Sequence, residues 1–171
     1  MCATCAPLGI AVESVTMGSA TFALLICAGA AALEGALAGR GIRARFAELR
    51  LPRFSPPFFV WIFIGGVYYA ICFVILYRLV ASNRPTPTHN VAFVLVVVLM
   101  AANAAWGLLF FRRKDLRASF LAFLPYGFLT LLLIVTLASI DWISALVLAP
   151  YVAYLGYALW WAHRVWLLNR A

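Results

Sequence analysis

Acidic side chains are nearly missing from this sequence: five Asp and Glu in 171 residues, against thirteen Lys and Arg. Charged residues of both signs make up only 11% of the chain, where a soluble domain carries roughly 25%. That deficit excludes an ordinary water-facing surface. The two histidines, His89 and His163, fall at opposite ends of any bundle the apolar runs could build, so they cannot share a metal. No Ser/His/Asp or Cys/His set can be gathered at one depth, which excludes a conventional hydrolase. Of the four cysteines, Cys27 and Cys72 lie inside apolar runs and read as small core residues. Cys2 and Cys5 form a CxxC with no second pair and no βαβ context, which is a weak redox or metal signal. The net charge of +8 is confined to short loops, so it does not form a face for nucleic acid.

What is present is apolar: 67% of residues, with a mean hydropathy of +1.03. Five runs reach the roughly 20 residues a helix needs to cross a bilayer. They cover about 15–37, 58–80, 91–111, 118–139 and 143–168, with one substantial loop at 38–57. Lipid offers no partner to free backbone groups, so the expected fold is all-α, a single domain over 1–171 made of five transmembrane helices. The first run is too long for a cleaved leader and lacks its basic lead. Pro125 and Pro150 fall inside the fourth and fifth spans and predict kinks or broken turns there.

Basic residues set the orientation. Arg40, Arg43, Arg45, Arg50 and Arg53, then Arg112, Arg113, Lys114 and Arg117, then Arg164 and Arg170 share one side. Only Arg78 and Arg84 lie on the other. This places the C-terminus in the cytoplasm and the N-terminus outside, as in a bacterial cytoplasmic membrane. Trp142 is expected as an anchor at the outer interface, and Trp160, Trp161 and Trp166 at the inner one. The middles of the spans carry no charge, since Glu34 and Arg78 lie near span ends. This argues against an ion-coupled transporter.

Three local patterns remain. Leu49-Arg-Leu-Pro52-Arg-Phe54-Ser-Pro56-Pro57-Phe58-Phe59 leads into the second span, either as a rigid helix start or as a lid over a cavity. Asn103, Trp106 and Phe110 share one face of the third span at i, i+3 and i+7. An amide in hydrocarbon needs a partner, which another helix or a ligand could supply. Asp141 opens the fifth span, where a carboxylate complements the helix dipole, and Pro150, Tyr151 and Tyr154 follow. At 1.5 Å per residue, Gly65 and Asn103 both lie about 12 Å from the basic end. A glycine gap beside an amide and a Trp suits an apolar cavity with few polar groups. The candidate ligand-binding set is Phe46, Pro57, Phe59, Gly65, Tyr69, Asn103, Trp106, Phe110, Tyr151 and Tyr154.

These residues resemble the translocator protein family, also called tryptophan-rich sensory proteins (TspO/MBR). The resemblance rests on Leu49, Pro52, Pro56 and Pro57; on Asn103, Trp106, Phe110 and Phe111; on Pro150, Tyr151 and Tyr154; and on Asp141 and Asn169. Phe46 stands where the family often has Tyr. It covers roughly 46–169. It implies a membrane protein that binds porphyrins, haem-like tetrapyrroles, sterols or other flat hydrophobic molecules beneath the first loop, in a sensing, regulatory or transport-assisting role. A porphyrin or haem is the bound group it implies, and membrane lipids and a second copy of the chain are the implied partners. Ala101 with Ala105 and Gly35 with Gly39 have the small-xxx-small spacing of close helix contacts. Light- or oxygen-dependent porphyrin oxidation, and a structural subunit of a larger membrane complex, are the alternative roles. The chain departs from the family at Gly65, where most members carry Trp, at Tyr154 for a usual Trp, and at Trp161-Ala162 for Leu-Asn. Tyr157 and Arg164 are too far apart for the family's sterol pattern.

Overall fold

The computed structural model describes residues 8–82 and 86–170. The described chain contains no strand and is helical almost throughout, with five helices long and apolar enough to span a membrane. Helix α1 is Leu8–Ala38, α2 Ile42–Glu48, α3 Phe58–Val80, α4 Pro87–Gly107, α5 Leu116–Leu121, α6 Phe123–Ile140 and α7 Trp142–Leu168. The spans themselves are Met17–Ala38, Phe58–Val80, Pro87–Arg112, Leu116–Ile140 and Trp142–Leu168. Cys2, Cys5 and Arg84 lie outside the described residues.

The core is a column of Ile, Leu, Val, Cys and Tyr side chains running between the helices, including Cys27, Cys72, Ile75, Leu99, Leu133 and Leu148. The outer faces carry Ile62, Phe63, Phe128, Leu131 and Val135, all exposed. Surfaces this apolar associate in water and are stable against lipid tails. The protein is an integral membrane protein whose outer faces contact lipid.

The ends of the elements follow from a few residues. Gly39 and Gly41 have φ of +76° and +108°. This left-handed region suits glycine and lets the chain leave α1 and turn into α2. Thr86 and His89 form a capping box that starts α4 at Pro87, earlier than the sequence pattern predicts. After Gly107 the helix continues as one π turn over Leu108–Arg112, where Arg113 N–H donates to Leu108 O at 2.9 Å. Pro125 has the expected effect: its ring crowds the carbonyl four residues back, and the helix is interrupted between Leu121 and Phe123. Pro150, by contrast, sits inside an uninterrupted α7.

The basic end of the bundle is closed by a strap, residues 49–57, held by side chains of α7 and the residue after it. Asn169 Oδ1 accepts from Arg50 N at 3.0 Å, and its Nδ2 donates to Arg50 O at 3.0 Å. Tyr157 Oη donates to Phe54 O at 2.9 Å, and Trp161 Nε1 donates to Ser55 Oγ at 2.9 Å. Trp161 is therefore not an interfacial anchor. It is 1% exposed and packs among Trp61, Phe46 and Phe110. Trp142, expected as an anchor at the outer interface, is 65% exposed. At the opposite end, Arg78 on α3 makes a bidentate pair with Asp141 between α6 and α7, at 2.7 and 2.8 Å. Asp141 was expected to cap α7. It stands at the N-cap of α7, and its side-chain oxygens accept from Arg78 and from Ser144 Oγ.

Candidate functional site

Toward the basic end, α1, α2, α3, α4 and α7 line a half-open chamber of about 350 Å³, the strap-side chamber. A second, of about 490 Å³, lies between α4, α6 and α7. Trp61, Asn103, Trp106, Tyr151, Tyr154 and Trp161 line both, so the two chambers meet at one aromatic ring. Together they fall in the range of small-molecule cavities, roughly 300–1,000 Å³.

Local sequence explains how the ring is built. Trp106 sits two residues before the π segment, and its Nε1 donates to Ser119 O on α5 at 3.1 Å. This fixes the indole across the gap between α4 and α5. The π turn sends Phe110 inward, 1% exposed, and stacks it on Trp106 with ring centroids 5.0 Å apart. Phe111, the next residue, faces Phe46 of α2. Phe46 also packs edge-on to Phe58 at 5.5 Å, closing the strap-side chamber from above. Of the Leu49–Phe59 segment, Phe58 alone lines the chamber, while the segment also leads into α3. Deeper down, Tyr126 and Tyr151 hydroxyls bond to each other at 2.7 Å.

Of the residues proposed from sequence, Phe46, Gly65, Asn103, Trp106, Tyr151 and Tyr154 line one or both chambers. Phe110 supports Trp106 from behind. Tyr69 does not line either chamber; its hydroxyl donates to Glu34 Oε2 at 2.7 Å. Pro57 precedes the first turn of α3 outside the chambers, and Phe59 points away from them, 69% exposed. The adjacent Phe58 takes the lining position instead.

Sequence reasoning passed over Trp61, Trp161, Tyr68, Phe123 and Glu34. Trp61 stands four residues before Gly65, on the same helical face and about 6 Å along the axis, so the second span still supplies an indole. Its Nε1 is buried without a hydrogen-bond partner, and Tyr68, only 3% exposed, turns its hydroxyl toward Tyr126 and Cys72. Both residues face the strap-side chamber. Glu34 was read as a span-end charge. In fact it turns inward, where Asn103 Nδ2 donates to its Oε2 at 2.9 Å beside the Tyr69 bond. The available signal was that Glu34 alone among the five acidic residues falls inside a predicted span. Among the described residues no group of three His, Cys, Asp or Glu side chains could hold a metal.

No curated protein matches the chain. The sequence model of the TspO/MBR family matches residues 22–167, nearly the whole length. That span includes the ring, the strap and the residues of α7 that hold it, so this chain belongs to the TspO/MBR family, a family of membrane ligand-binding and sensing proteins.

Proposed function

We propose that the protein binds a flat hydrophobic molecule, with a tetrapyrrole as the leading class, in the two joined chambers beneath the strap. The basic end lies in the cytoplasm, so that the strap is a cytosolic lid. The observation that carries this reading is the shared ring. Six residues from α3, α4 and α7 border both spaces, and nearly all of the wall is apolar or aromatic. A planar molecule can stack on Trp106 and against the Trp61–Trp161 pair, whose ring centroids are 4.6 Å apart. Trp61 and Tyr68, seven positions apart on α3 and so about 10 Å apart along its axis, both line the strap-side chamber. Binding there would press on Phe46 and the strap, which gives a route from occupancy to the cytosolic surface and hence to a sensing role. Ala101 and Ala105 are exposed on α4, and this face suits contact with a second copy.

The test is a titration of nanodisc-held protein with protoporphyrin IX, following tryptophan quenching and porphyrin absorbance. Saturable binding weakened by Asn103→Leu and by Gly65→Trp supports the reading. Absent binding, or binding indifferent to both changes, moves the assignment to a structural subunit. Fixed-ratio partners should then copurify.

A further inference from the structure

Glu34 is a half-buried carboxyl group on the wall of the strap-side chamber. Phe46, Phe58, Trp61, Trp106 and Phe111 line the same chamber. Its two bonds both fall on Oε2 and both come from neutral donors, Tyr69 and Asn103. No cationic side chain lies within 4.0 Å of it among the described residues; the three ion pairs belong to Glu48 and Asp141. Arg45 on α2 and Lys114 before α5 both pair with Glu48. An acidic group inside a membrane-spanning helix without a counter-charge marks a functional position. Aromatic faces are electron-rich and attract a cation placed over them, most strongly where water is excluded. The two features reinforce each other.

We propose that Glu34 makes the strap-side chamber selective for flat organic cations over neutral molecules of the same shape. The proposal rests on the reading that the joined chambers are a ligand site, and it names the class that site prefers. A ligand of this kind would lay its ring between Trp61 and Trp106 and direct its charged nitrogen toward Glu34. A carboxylate-bearing ligand would instead have to point its acids away from Glu34, toward the arginines at the basic end.

The test uses the full chain in nanodiscs of zwitterionic lipid, with empty discs as the blank. The probes are acridine, at mildly alkaline pH where it is uncharged, and N-methylacridinium, which is almost the same shape with a permanent charge. Protoporphyrin IX serves as a third probe. The expected result is about tenfold tighter binding of N-methylacridinium than of acridine, in line with a desolvated cation–π contact plus a counter-charge. Glu34→Gln keeps an oxygen that can accept from Tyr69 and Asn103. It should abolish the preference by weakening the cation alone, and retained acridine binding reports that the variant is folded. Equal affinity of the native chain for the two tricyclic probes overturns the proposal, with no need of the variant. So does an equal loss for both probes in Glu34→Gln, which would mark a purely structural role. If acridine or protoporphyrin binds and the cation does not, this proposal fails and the ligand-site reading stands. If none of the three binds, both fall.

Discussion

Trp161 Nε1 donates to Ser55 Oγ at 2.9 Å, joining two residues 106 positions apart. The indole that makes this bond also borders both chambers, so the lid and the ring share one side chain. Two functions of Trp161 can be separated by substitution. Trp161→Phe removes the bond and keeps most of the ring. It should lower stability by about 1 kcal/mol, the net value of one neutral hydrogen bond. Trp161→Ala also leaves a large void beside Phe110 and Trp61, and should cost about 3–5 kcal/mol. Thermal melts of the purified protein in one detergent would rank the two. Similar losses would mean that the bond to Ser55, rather than packing, carries the residue's weight.

Asn169 holds the strap from beyond the end of α7, with one amide spanning both backbone groups of Arg50. Asn169→Ala frees that N–H and C=O together, at about 1–2 kcal/mol for two partly exposed bonds. The clearer readout is local. Arg50 and Arg53 are exposed on the strap, and loosening it should speed tryptic cleavage after them. Ligand dissociation should quicken in parallel. Unchanged cleavage in Asn169→Ala would show that Tyr157 and Trp161 suffice to hold the segment.

How far the sequence carries depends on whether a feature is periodic or relational. The five spans were legible because lipid imposes apolar runs of a fixed length, and the α3 bounds match the expected 58–80. The start of α4 at Pro87 was missed because a capping box is polar and lies outside an apolar run. Asn103 and Trp106 were found through helical spacing, which fixes a shared face on one helix. Glu34, Tyr69 and Asn103 come from three helices, and no spacing rule joins residues whose contact depends on how the helices pack. Trp61 was hidden by attention to Gly65, although the two share a face. Phe59 was chosen over Phe58 because adjacent helical positions differ by about 100° and no periodic partner decided between them.

Gly65 faces open space: a Cβ built there meets nothing within 4 Å. The position is helical and glycine is a poor helix former, so a larger residue should not destabilise α3. Gly65→Ala should leave ligand binding nearly unchanged and raise the melting temperature slightly. Gly65→Trp should fill part of the strap-side chamber and weaken protoporphyrin binding about tenfold or more, with the melting temperature held or raised. A titration and a melt on the same sample check both halves. Tighter binding in Gly65→Trp would mean that the added indole stacks on the ligand instead of displacing it.

Asp141 supplies the pH dependence expected at the end opposite the strap. The hydrogen bonds from Arg78 and Ser144 hold its carboxyl below the usual range, at about 2. An aspartate in the unfolded chain titrates near about 3.9. Because the folded value is the lower one, the pair's contribution to stability is fully present above about pH 4. It is lost as pH falls through that value toward about 2. Asp141→Asn should therefore lower the melting temperature at neutral pH and flatten its fall between about pH 4 and 2 relative to the native chain. Arg78→Lys keeps the charge but cannot match both carboxylate oxygens with a planar fork, so it should lie between the two. Melting curves across that acid window check the series. A native chain as insensitive as Asp141→Asn would mean that the pair adds nothing to the fold, and that α3 is held to the α6–α7 junction by packing alone.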